Sequence, residues 1–114
     1  MGRIKDAVNR GGEKISCEEV ENAILKHERI HDCAIVPMPD PVFGEKCCAF
    51  ISMRDPGDTI TLEEIAKFLD GKIAKFQFPE RIEIRDELPK TNVGKILKSK
   101  LKDEIYDIME GVTA

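Results

Sequence analysis

Tryptophan is absent from this chain, and aromatic residues make up only 5% of it. Platforms on which nucleic-acid bases would stack are therefore scarce. The net charge is −4, from 18 basic and 22 acidic side chains, so bulk attraction to nucleic acid or to an anionic membrane is lacking too. No apolar run approaches the length of a membrane-spanning helix, and no secretory pattern opens the sequence; a cytoplasmic location is the expectation. Several enzyme signatures are missing as well. There is no G-x-S-x-G elbow, no phosphate loop ending in G-K-[ST], and no H-E-x-x-H. The two histidines, His27 and His31, offer little for a catalytic triad. Cys17, Cys33, Cys47 and Cys48 contain no C-x-x-C pair, so a zinc set of Cys17, His27, His31 and Cys33 lacks metal-site spacing. Cys33, Cys47 and Cys48 read instead as small hydrophobes in apolar strands, and no metal is expected.

What is present suits one soluble domain. The 114 residues are 41% hydrophobic and 35% charged, enough for a single modest core. Short extended segments at 3–9 and 13–16 flank Arg10-Gly11-Gly12, which predicts a β-hairpin. Ser16 with Glu19 predicts a capping box and a helix near 17–28, whose inner face carries Val20, Ala23, Ile24 and His27. Residues 31–38 read as a buried strand ended by Pro37, Pro39 and Pro41, since each lacks a ladder donor. A second apolar strand follows over 46–53, then a turn at Asp55-Pro56-Gly57-Asp58. Thr61 with Glu64 predicts another capped helix, lined by Leu62, Ile65, Ala66 and Leu69. Alternation over 81–85 predicts a half-exposed strand, and Leu97, Leu101, Ile105 and Ile108 form the stripe of a last helix. The expected architecture is α+β: a small antiparallel sheet with packed helices and an N-terminal hairpin.

Two segments carry the candidate chemistry. The first is Gly2-Arg3-Ile4-Lys5-Asp6, running on to Asn9-Arg10-Gly11-Gly12-Glu13-Lys14-Ile15. Arg3 and Lys5 share one side of an extended segment, where Arg3 is able to donate to a sugar or phosphate oxygen. Gly11 and Gly12 lack Cβ atoms, which suits either a narrow channel or a plain turn. The second is Leu88-Pro89-Lys90-Thr91-Asn92-Val93-Gly94-Lys95-Ile96. Lys95 follows a glycine just before a helix, where a mobile point charge can neutralise phosphate or carboxylate; an ordinary solvated lysine fits that dipeptide equally. Five lysines and no acid fall between Lys90 and Lys102, and Lys98, Lys100 and Lys102 read as the solvated face of the last helix.

Taken together, these motifs resemble the C-terminal domain of the adenylate-forming superfamily, which includes acyl- and aryl-CoA synthetases, peptide-synthetase adenylation domains and luciferases. The resemblance covers residues 1–114 and extends to Glu18-Glu19-Val20-Glu21, to Val36-Pro37-Met38-Pro39-Asp40 and to Phe43-Gly44-Glu45. It implies a mobile domain that begins at the interdomain hinge, with the large N-terminal domain that binds ATP and the acid lying outside this sequence. It also implies a two-step ligase reaction. A carboxylic acid attacks the α-phosphate of ATP to give an acyl-adenylate and pyrophosphate; the thiol of CoA or of a carrier-bound pantetheine then displaces AMP.

The roles implied by the resemblance are specific. Lys95 is the catalytic cation of adenylation, Arg3 contacts the nucleotide, and Lys5 is the hinge. Gly11, Gly12 and Glu13 line the pantetheine channel. Magnesium accompanies ATP on the missing domain, and the isolated 114 residues are expected to be inactive. The expected partners are the large domain, the acid, ATP, CoA and an acyl or aryl carrier protein, without nucleic acid or a membrane span. Asn9-Arg10-Gly11-Gly12-Glu13-Lys14 is most similar to dihydroxybenzoate-type ligases, whereas Ala74-Lys75-Phe76-Gln77-Phe78-Pro79 resembles fatty-acyl-CoA synthetases. At Gln77-Phe78 the chain departs from the basic residue with which many CoA-using members meet the nucleotide end of CoA. The alternative function is a stand-alone nucleotide- or RNA-binding regulatory module using the lysine-rich final helix.

Overall fold

A computed structural model describes residues 7–113. The chain opens with the hairpin of β1 (Ala7–Arg10) and β2 (Glu13–Ser16), followed by α1 (Cys17–Leu25). Two long strands come next, β3 (Ile30–Asp40) and β4 (Gly44–Met53), then α2 (Leu62–Leu69), a single 3-10 turn (Lys75–Gln77), β5 (Arg81–Ile84) and α3 (Lys98–Thr113). The order matches the α+β expectation. One detail of the sheet differs: β5 runs parallel to β4, while the β1–β2, β1–β4 and β3–β4 pairs are antiparallel. A crossover through α2 separates β4 from β5, and a connection of that length permits parallel pairing.

Helices cover the sheet on both sides. Val8, Ile15, Cys33, Ile35, Cys47, Ala49 and Ile51 pack with α1 and α2 in one cluster. Ala34, Val36, Met38, Cys48 and Phe50 point the other way, onto Leu88 and the Leu101 and Ile105 stripe of α3. Alternate side chains enter alternate cores, so β3 and β4 read as continuous apolar runs rather than as alternating ones. Phe50 is fully buried under α3, and truncating it to Ala should cost about 3–5 kcal/mol. The strand cysteines are buried as expected, which pushes the Cys47 and Cys48 thiols up to about 12 and the Cys33 thiol higher still. Among the described residues no three His, Cys, Asp or Glu side chains group as a metal site. No helix there is long and apolar enough to cross a membrane.

Several local expectations are corrected. The strand expected to end at its prolines continues through Pro37 and Pro39, which lie opposite Cys47 and Glu45. Among the described elements β3 pairs only with β4, so its other side is an edge. The Ile35 N–H points off that edge to the Glu21 carboxylate at 2.7 Å. Pro37 and Pro39 share the parity of Ile35, so their missing donors fall on the outer side and remove no ladder bond. The Ser16 box is only half formed. Ser16 Oγ accepts from the Glu19 N–H at 3.3 Å, but the Glu19 carboxylate accepts from Gln77 instead, and α1 ends at Leu25. By contrast the Thr61–Glu64 box is complete. Its helix buries Ile65 and Leu69 and leaves Leu62 exposed. Finally, Lys98 is not solvated in the way its periodicity suggested: its ammonium pairs with Glu21 across the β3 edge.

Candidate functional site

At the hairpin, Arg10 pairs with Glu13 and leaves Gly11 and Gly12 as a two-residue turn. Their φ values are 57° and 95°, the positive region that such tight turns require at both central positions. Beyond the Arg10–Gly44 pair, several contacts fix the turn to the sheet. The Gly11 N–H donates to the Phe43 carbonyl at 2.8 Å, and the Asn9 N–H donates to Glu45 Oε1 at 2.8 Å. A Cβ on Gly11 would lie 2.9 Å from Phe43 Cδ1, whereas one on Gly12 would meet nothing within 4 Å. Gly11, Gly12 and Glu13 are all exposed.

The second loop closes on itself. Leu97 N–H donates to the Pro89 carbonyl at 2.8 Å, and Lys90 bridges Ile96. Thr91 N–H donates to the Lys95 carbonyl at 2.7 Å, and the Lys95 N–H returns to Thr91 Oγ1 at 3.2 Å. Gly94 makes the turn at φ 86°. Lys90 reaches Asp32 at 2.9 Å, and Lys98 takes Glu21, so lysines on both sides of the loop are occupied by carboxylates. Lys95 is exposed, and among the described residues no carboxylate pairs with its ammonium. That separates it from its neighbours as a charge available to a ligand.

The two loops stand apart. The hairpin meets β4 at Gly44, opposite Asp40 at one end of the β3–β4 ladder. The lysine loop is pinned to Asp32, eight residues back along β3, which corresponds to roughly 26 Å. The structure thus does not bring Lys95 and Gly11-Gly12-Glu13 into one site. Arg3 and Lys5 lie outside the described residues. A groove of about 690 Å³ is lined by four carboxylates, Glu87, Asp103, Glu104 and Asp107, and by two lysines, Lys90 and Lys100, a net negative lining. Such a lining repels phosphate. Gln77 is buried, with its side chain bonded to the Ala74 N–H at 2.8 Å and to Glu19 at 3.1 Å. It therefore serves the fold rather than standing ready for a ligand. Phe43, Glu80, Asp32 and Glu21 hold the loops, and sequence reasoning did not single them out. Phe43 and Glu21 drew notice only within the Phe43-Gly44-Glu45 and Glu18-Glu19-Val20-Glu21 segments, and neither segment announces a ring packed on a distant glycine or a carboxylate that takes Lys98.

Among the described residues, a small α+β domain projects a glycine turn and a lysine loop from separate parts of one sheet. Residues 19–95 match the family model described as the AMP-binding enzyme C-terminal domain, and the chain belongs to that family. It is 44% identical over 107 residues to the 2,3-dihydroxybenzoate-AMP ligase of Bacillus subtilis, covering 93% of this chain and 20% of that ligase. Over 105 residues it is 43% identical to the medium-chain fatty-acid–CoA ligase of Escherichia coli, covering 91% and 19% respectively. Among solved structures, apo MatB from Rhodopseudomonas palustris superposes with a TM-score of 0.84 at 34% identity, over 94% of this chain and 21% of MatB. The chain therefore spans about a fifth of the length of the relatives it matches. The two curated relatives are ligases, and they lend no support to a stand-alone nucleotide- or RNA-binding regulatory module.

Proposed function

We propose that this chain is the mobile C-terminal domain, with its hinge near Lys5, of a cytoplasmic AMP-forming acid–thiol ligase. The observation that carries the reading is that the two loops are anchored to β3 at points roughly 26 Å apart, near Asp40 and at Asp32. A single orientation of a rigid domain cannot present both to one reaction centre, so two successive poses are needed, one per half-reaction.

In the first pose the exposed Lys95 ammonium sits where the acid carboxylate approaches the α-phosphate of ATP. Two anions meet there, and a positioned cation lowers the barrier through charge and placement. Its loop supports that role, because the Thr91–Lys95 bonds and the flanking ion pairs fix the backbone while the side chain stays mobile. Arg3 contacts the nucleotide. Rotation then withdraws Lys95 and brings Gly11, Gly12 and Glu13 to the pantetheine arm. Backbone without Cβ atoms lets the thin thiol pass to the acyl carbon, and AMP leaves. The large domain supplies the acid pocket, the ATP phosphates and any magnesium. The acid is aryl or medium-chain aliphatic, the two classes named for the relatives. With Gln77 engaged inside the fold, a carrier-protein pantetheine stands beside CoA as acceptor.

ATP–pyrophosphate exchange by the enzyme containing its large domain tests this reading. Exchange should depend on one of 2,3-dihydroxybenzoate, salicylate or octanoate, and Lys95→Ala should lower it about 100-fold or more. Unaltered exchange in that variant would remove Lys95 from the chemistry.

A further inference from the structure

A hairpin of two four-residue strands is marginal on its own, and this one joins the sheet through a single ladder pair, Arg10–Gly44. Val8 and Ile15 bury its base, but its tip is two consecutive glycines, the residues with most backbone freedom to lose. A channel wall made from such a tip needs bracing from outside.

Phe43 supplies that bracing. Its carbonyl takes the Gly11 N–H at 2.8 Å, and its ring lies against Gly11 so closely that no Cβ would fit. The Arg10 guanidinium stacks 4.2 Å from the ring centroid, and the Lys46 ammonium lies 5.4 Å from it. Both cations are held in turn. Arg10 donates to Glu80 at 2.8 Å, while Lys46 sits 3.5 Å from both Glu80 and Asp40. The circuit closes where Asp40 accepts the Val42 and Phe43 N–H groups at 3.0 and 2.8 Å. Two cations balance two carboxylates, so the cluster has no surplus charge with which to hold a phosphate. Its construction suits a mechanical task.

We propose that Phe43 is a positioning residue for thioester formation: its ring and carbonyl fix Gly11, and through it the Gly12-Glu13 wall that receives the pantetheine thiol. The proposal rests on the two-pose reading above. Adenylation draws on Lys95 at the far end of the ladder and does not need the brace. The two half-reactions therefore separate a positioning role from a merely structural one.

The test uses the enzyme with its large domain, carrying Phe43→Ala, Phe43→Tyr or Gly12→Val. Pyrophosphate exchange is measured alongside thioester formation from the purified adenylate of whichever acid supports exchange, with CoA and with pantetheine. Phe43→Ala should slow thioester formation about tenfold or more, as a misplaced channel wall does, and leave exchange within about twofold. Phe43→Tyr keeps the ring and should restore the rate. Exchange falling in step with thioester formation would overturn the proposal and leave Phe43 as a stability residue. Normal thioester formation in Phe43→Ala beside an impaired Gly12→Val would also overturn it, with the channel reading intact. If Gly12→Val is itself normal, the channel reading fails and the proposal with it.

Discussion

The hairpin tip at Gly11-Gly12 is held from outside, by Phe43 on Gly11 and by Glu80 on the neighbouring Arg10, with Lys46 and Asp40 behind them, whereas the Thr91–Lys95 loop is closed largely by its own bonds and pinned at its two ends. On the two-pose reading, the difference follows from what each loop presents. A glycine wall acts through its backbone, so the backbone must be fixed to something rigid. A lysine acts through a long side chain, which needs a steady base and an unoccupied head. In keeping with this, carboxylates engage Arg10 and Lys46 at the first loop and Lys90 and Lys98 around the second, while Lys95 faces solvent.

The sharpest way to break the comparison is a crossed pair of substitutions. Lys95→Ala should reduce adenylation about 100-fold or more and leave thioester formation from supplied adenylate far less affected. Gly12→Val should do the reverse, about tenfold or more, because its side chain would project into the thiol's path from a backbone at φ 95°. Equal slowing of both half-reactions by either variant would show that the loops do not serve separate steps.

A smaller effect is expected at the pins of the lysine loop. Glu21 accepts the Ile35 N–H and faces Lys98, and its side chain is 16% exposed. Glu21→Gln removes that charge from a half-buried site and should destabilise the chain by about 1–3 kcal/mol in urea unfolding. Asp32→Asn removes the more exposed partner of Lys90, and about 0–1 kcal/mol is expected there. Adenylation should fall a few-fold in Glu21→Gln if the start of α3 sets where Lys95 begins. A Glu21→Gln enzyme with unchanged exchange would show that the loop's internal bonds suffice.

Much of this was legible in the sequence wherever a local rule and the tertiary fold agree. Gly11-Gly12, the Thr61–Glu64 box and the Leu101–Ile105 stripe each specify their element within a few residues, and the structure keeps them. Pro37 and Pro39 misled because the cost of a proline depends on which side of a strand has a neighbour, and that is a property of the sheet. Glu19 misled for a related reason: a carboxylate three residues after a cap has two possible partners, and the distant Gln77 won. Lys95 was singled out by its motif, and the ion pairs of Lys90 and Lys98 distinguish it physically from the lysines on either side of its loop. The brace at Phe43 joins residues from three separate stretches, Arg10-Gly11, Asp40 to Lys46 and Glu80, and no periodicity announces such a cluster.

Each loop also carries one group whose stabilisation is lost at a different end of the pH scale. Asp40 is held below the usual carboxylate range, chiefly by the Phe43 N–H and then by the Val42 N–H and Lys46. A depressed carboxylate contributes stability above its unfolded pKa of about 3.9, and loses it as pH falls through the lower folded value. Lys90 is shifted the other way, raised by its hydrogen bond to Asp32 and by that carboxylate's charge. Its contribution is complete below the unfolded value of about 10.4 and is lost as pH rises through the higher folded one. Backbone carbon shifts of Gly11 and Thr91 report the two sites separately. Gly11 should move as pH falls below about 4, and Thr91 as pH rises above about 10. Asp40 is half-buried and Lys90 exposed, so the effects are small. A Gly11 shift that stays fixed through the acid range would show that the Asp40 carboxylate, and with it the Phe43 brace, does not hold the hairpin tip.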